Sequence, residues 1–172
     1  MMMYKTAPRG PKDTHTKKIR LNNKMKYDWV LTVSTLCSYA VLEFLWLSLM
    51  TNRFYMPRLM PIQPYVTPKT FRVDKLAAVL AYVAVAAVIY IFIIHDLATG
   101  NERRSDKTGF TMEGLLRAAV LGFAVYGVYN FTCKAVFVRY GWSMVVVDTL
   151  WGISIFSVVY VIAALLSSRD RT

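Results

Sequence analysis

The chain has 172 residues, 56% of them hydrophobic and 18% charged, and 21 Lys+Arg against 10 Asp+Glu leave a net charge of +11. A soluble domain of this size carries about a quarter charged residues, so the long uncharged stretches exclude a water-soluble core and point to one polytopic membrane domain. The basic residues flank the apolar runs instead of forming a module of their own, which sets nucleic acid aside in favour of anionic headgroups and topology.

Residues 1–28 form a basic arm with Lys5, Arg9, Lys12, Lys17, Lys18, Arg20, Lys24 and Lys26 against Asp13 and Asp28. Pro8, Gly10 and Pro11 break any helix near its start. The arm lacks the short apolar core and small-residue cleavage site of a secretory signal. Its basic, acid-poor character resembles a transit peptide, yet we expect it to belong to the working chain. A polar arm of this length is expected to be disordered unless a partner holds it.

Four apolar runs follow, at 29–49, 76–94, 115–138 and 142–166. Each reaches the ~20 residues that a helix needs to cross the bilayer. None alternates polar and apolar residues, as ~10-residue barrel strands would. The expected fold is therefore an all-α, polytopic four-helix transmembrane bundle, with residues 29–168 as the membrane domain and 169–172 as a short basic tail. The first connection holds Pro57, Pro61, Pro64 and Pro68 and cannot be helical throughout. Tyr55 and Tyr65 within it are expected at the headgroup level. The second connection, 95–114, is a charged, solvated stretch that includes Asp96, Glu102 and Asp106, and Thr111 is the expected cap of the third helix. Only Arg139, Tyr140 and Gly141 separate the last two runs, which must be antiparallel neighbours.

Four crossings place both termini on the same side. Fourteen of the 21 basic residues lie in the arm, the second connection with Arg117, and the tail. The positive-inside rule then puts the termini on the cytoplasmic or matrix-type side.

Glu43 and Asp148 are each read as sitting in the middle of a long apolar run, where a carboxyl group is costly unless paired. Helical spacing groups Tyr39, Glu43 and Trp46 on the first run, then Gly122, Tyr126, Tyr129, Asn130 and Cys133 on the third. On the fourth it groups Asp148, Trp151, Gly152 and Ile155. Lipid offers no hydrogen bonds, so these stripes should face one another, with Gly122, Gly127 and Gly152 allowing close helix approach. The expected network is Glu43, Asp148, Asn130, Tyr126 and Tyr129, with Tyr39, Trp46 and Trp151 beside it. It either relays a proton or binds a cation, the two acids titrating as a pair, or it only fixes helix register. The second is favoured, because His15 and His95 both lie outside the runs and proton pathways need more titratable groups. Lys134 either neutralises an acid or snorkels to the headgroups.

Trp29 and Trp142 sit at run ends and read as interfacial anchors. Trp46 and Trp151 are deeper and read as packing residues with satisfied indole N–H groups. Cys37 and Cys133 read as small core hydrophobes. No haem, copper or zinc spacing, P-loop, nucleotide fingerprint or nucleophile elbow is present, so no cofactor or metal is expected, although grooves between helices leave room for a bound phospholipid.

Leu42-Glu43-Phe44-Leu45-Trp46-Leu47, Tyr126-Gly127-Val128-Tyr129-Asn130-Phe131-Thr132, Gly141-Trp142 and Asp148-Thr149-Leu150-Trp151-Gly152 carry a likeness. Over about residues 36–166 the chain resembles a mainly bacterial family of small predicted membrane proteins catalogued as domain of unknown function 2177. The closing Asp-x-x-Trp-Gly is its most specific part. The resemblance implies four spans. In the family pattern an aspartate usually replaces Glu43, an aspartate Asn130, an asparagine Cys133 and a proline Ser143, so Asn130 and Cys133 are expected to weaken the polar stripe here.

The arm and charged second connection are additions to that core. They lead us to expect a non-catalytic accessory subunit of a larger membrane complex, in the mitochondrial inner membrane and its respiratory chain. Other subunits would then hold the arm. The alternatives are a self-contained proton-coupled carrier using Glu43 and Asp148, and a plasma-membrane setting.

Overall fold

A computed structural model of the chain describes residues 11–62, 72–99 and 109–169, with side chains described within 28–62, 72–98 and 109–168. The elements are α1 (Pro11–Met50), a π-turn (Thr51–Tyr55), α2 (Met56–Leu59), α3 (Lys75–Ile89), a second π-turn (Tyr90–Ile94), α4 (His95–Thr99), α5 (Met112–Val136) and α6 (Trp142–Arg169). Each π-turn continues the helices on either side of it. The described residues form four long helical rods, each long and apolar enough to cross a membrane, and no strand occurs among them.

Two boundaries differ from the sequence expectation. The arm is not irregular up to Asp28, because the first helix begins at Pro11. Proline lacks only an N–H that has no partner in a first helical turn. The rod also runs beyond residue 49 to Leu59 despite Pro57, which occupies the first turn of α2. Residues 1–10, Tyr65, Pro64, Pro68, Glu102, Asp106 and 170–172 lie outside the described residues.

Side chains supply the caps that the helix ends need. Thr111 Oγ1 accepts from the Gly114 N–H at 3.0 Å, as the sequence suggested. Asp74 does the same for α3, accepting from Leu76 and Ala77 N–H. The turn between α5 and α6 spans residues 137–141 and is closed by Tyr140 N–H to Phe137 O at 3.0 Å.

In lipid, helices gain little by hiding apolar surface from one another, so close packing and polar contacts must hold them. The α5–α6 pair meets where Gly122 lies against the Gly152 carbonyl, and a Cβ at either glycine would overlap its neighbour. Gly127 differs from expectation. A Cβ there would meet only Phe131 and Phe123 of its own helix, at 3.4 Å and beyond. Gly114, absent from the expected set, lies directly under the Tyr160 hydroxyl.

The bundle is divided along its length. Leu31, Leu97, Ala118, Phe156, Val159 and Ala163 form an apolar core toward the end that carries the second connection. At the opposite end the π-turn and α2 fold over the α5–α6 turn. There Phe54, Tyr55, Leu59 and Ile62 pack on Tyr140, Met144 and Val145, while Arg139 donates to Pro61 O and Arg58 to Ser143 Oγ. The second rod packs closely only at its C-terminal end, where Ile89, Ile93, Ile94 and Leu97 are buried. The other end of that rod stands away from its neighbours, and a cleft opens there.

Candidate functional site

Both carboxylates lie in the half of the bundle away from the apolar core. Glu43 comes from α1 and is buried. Its Oε2 accepts from Trp151 Nε1 at 2.8 Å and from the Tyr126 hydroxyl at 3.1 Å. The Tyr126 hydrogen is committed to Glu43, so the Tyr39 hydroxyl, 3.3 Å away, donates to the Tyr126 oxygen. Oε1 of Glu43 receives no hydrogen bond among the described residues.

Asp148 lies six residues into α6, about 9 Å from Trp142 at 1.5 Å per residue. It is therefore shallower than its place in an apolar run suggested. Its Oδ1 accepts from the Tyr55 hydroxyl at 2.5 Å and its Oδ2 from Asn130 Nδ2 at 2.7 Å. Tyr55 in turn accepts from Trp46 Nε1 at 2.9 Å. Asn130 is fully buried, donates also to Tyr126 O, and accepts from the Tyr140 hydroxyl at 2.7 Å. Burial holds the Tyr140 phenol above its ordinary range, which keeps it a donor. Trp46 and Trp151 stack face to face, with centroids 4.3 Å apart and planes 4° from parallel, and so link the two halves of the network.

Every donor to the acids among the described residues is neutral: tyrosine, tryptophan or asparagine. Such a shell compensates the burial of a carboxylate without cancelling its charge. Lys134, the one expected counter-charge, instead lies over the Trp142 ring at 5.9 Å. Trp29 and Trp142 are exposed, consistent with anchoring at the membrane surface.

Of the expected network, Tyr39, Glu43, Trp46, Tyr126, Asn130, Asp148 and Trp151 come together. Tyr129 does not join the two acids. It is largely exposed and contacts Cys133. Cys37 is also exposed, so it faces the surroundings of the bundle and not its core. Asn130 does not weaken the stripe, because it holds α5 and α6 together at Asp148. Tyr55 and Tyr140 were missing from the expected network. The first was read as a headgroup-level residue and the second as a loop residue. A tyrosine next to a helix end carried the only available signal.

Glu43 and Asp148 also line a cleft of about 360 Å³. Its walls are Tyr39 of α1, Ala78, Ala81, Tyr82 and Val85 of α3, and Val125, Tyr126 and Tyr129 of α5. No lysine, arginine or histidine lines it among the described residues, and no group of three His, Cys, Asp or Glu side chains among them is placed to hold a metal ion.

The sequence profile of a family described as Predicted membrane protein (DUF2177) matches residues 29–165. No curated protein and no solved structure matches the chain.

Proposed function

The chain belongs to that family of predicted membrane proteins, DUF2177, and from this premise we propose that it is a non-catalytic integral membrane subunit of a larger assembly, its buried acids serving to lock helix register. One observation carries the reading: each acid accepts hydrogen bonds from two other elements. Glu43 of α1 is held by α5 and α6, and Asp148 of α6 by α5 and the π-turn after α1. A slip of the first, third or fourth rod by one residue would strand a carboxylate in hydrocarbon.

Helix α1 supports the partner side of the proposal. Its 40 residues extend about 60 Å, roughly twice the ~30 Å hydrocarbon core. The part before Asp28 therefore projects from the bilayer as a helix bearing Lys12, Lys17, Lys18, Arg20, Lys24 and Lys26, suited to an acidic subunit or anionic headgroups. The setting we propose is the mitochondrial inner membrane, in an oxidative-phosphorylation complex, on the strength of this basic, acid-poor arm. The plasma membrane is the alternative. The cleft favours a second reading, a small carrier that uses the same acids.

Glu43→Gln and Asp148→Asn separate the readings. In native gels of mild-detergent extracts, the subunit reading expects the variants to weaken or lose the complex. Intact assembly with loss of solute or proton flux in proteoliposomes would instead establish the carrier.

A further inference from the structure

We infer that the cleft between α1, α3 and α5 is a binding site for a lipophilic organic monocation, an ammonium or phosphonium centre carried on an apolar body, which enters sideways from the bilayer. The inference goes beyond the register-locking role and does not depend on it.

The cleft's shape is suited to a small ligand. At about 360 Å³ it falls in the range of small-molecule sites. Its wall on the α3 side is made of Tyr82 together with Ala78, Ala81 and Val85, whose short side chains leave room. The open side follows from the packing of the second rod, whose buried residues all lie at or beyond Ile89.

Charge then selects the occupant. Two carboxylates line the cleft and no basic side chain does so among the described residues. Glu43 is only 8% exposed, yet its Oε1 accepts nothing from the described residues. An oxygen of a largely buried carboxyl group that is itself reachable and can still accept, beside a cavity, is a place for a cation. Tyr39, Tyr82 and Tyr126 add ring faces that attract positive charge. An anion would be repelled, and an acyl chain would leave the carboxylates' charge uncancelled. A bare metal ion would need six or more oxygen ligands, which this mainly apolar lining does not supply. A diffuse cation with a greasy body satisfies both the charge and the walls.

The test uses the purified full chain in nanodiscs of zwitterionic lipid, with radiolabelled tetraphenylphosphonium as the probe and neutral triphenylphosphine oxide as its comparison. We expect saturable binding of the cation at one site per chain, with no competition by the neutral compound. Glu43→Gln should weaken binding by about tenfold or more, since one charge pair in a poorly solvated site is lost. Ala81→Phe fills the cleft from α3 without touching the acid network. It should weaken binding to a similar degree with circular dichroism and gel-filtration profile unchanged, and it decides the matter if Glu43→Gln does not fold. Non-saturable uptake that is equal in wild type and Ala81→Phe, or equal binding of the neutral compound, overturns the inference. Either result leaves register locking untouched, because that role is read from assembly.

Discussion

Asn130 carries more of the network than any other uncharged side chain. It spends both amide hydrogens, on Asp148 and on the Tyr126 carbonyl, and it accepts from Tyr140. Replacing it with leucine keeps the volume but strips Asp148 and Tyr140 of a partner. We expect Asn130→Leu to cost about 1–3 kcal/mol, the usual penalty for stranding buried polar groups, measured by reversible unfolding in mixed micelles. Trp151→Phe preserves the stack on Trp46 and removes only the bond to Glu43. An interhelical bond of that kind averages ~0.6 kcal/mol and reaches ~1.7, so this variant should be the milder of the two. Most of these residues were legible from spacing, since Tyr39, Glu43 and Trp46 share a face wherever the helix points. Rotation about the helix axis was not legible. Spacing could not show that Tyr129, one residue before Asn130, turns outward, or that Cys37 does so while Tyr39 is buried.

At the scale of elements, the π-turn at Thr51–Tyr55 decides where Tyr55 points. A π-turn inserts one residue into an α-helix. Removing that residue, as in deletion of Arg53, should restore plain α-helix and swing Tyr55 by about 100°, away from Asp148 and Trp46. A lowered unfolding temperature and a shift in tryptophan emission are the expected signs. An unchanged spectrum would show that Tyr55 was never held there. The glycines give a paired test. Gly152→Ala drives a methyl into the Tyr126 ring, and Gly127→Ala meets only ordinary contacts on its own helix. We expect a loss of about 1–3 kcal/mol for the first. The second should be neutral, or should stabilise by up to about 1 kcal/mol through helix propensity. The four rods themselves were plain in the sequence, because twenty apolar residues in a row have few other uses. Their ends were not. Proline was taken as a stop at residues 11 and 57, but Pro11 occupies a first turn, where its missing N–H costs nothing, and Pro57 sits where the π-turn passes into α2 without ending the rod.

For the molecule as a whole, the division into an apolar end and a polar end was hidden from the sequence. It depends on which residues of different rods share a level, and periodicity along one rod carries no such information. Sidedness still rests on charge. In sealed vesicles or mitoplasts with the outer face exposed, single cysteines placed in the connection at 63–71 should react with a membrane-impermeant thiol reagent, and cysteines at 100–108 should not, if the termini lie on the cytoplasmic or matrix-type side. The reverse pattern would invert the topology. The account as a whole rests on acids that turn inward from lipid. Nitroxide scanning of residues 39–49 in proteoliposomes, read as collision with membrane-dissolved oxygen, tests this most directly. The structure predicts high oxygen access at Val41, Phe44 and Leu45, and low access at Tyr39 and Glu43, with helical period. High oxygen access at Glu43, or a flat profile across the segment, would contradict it.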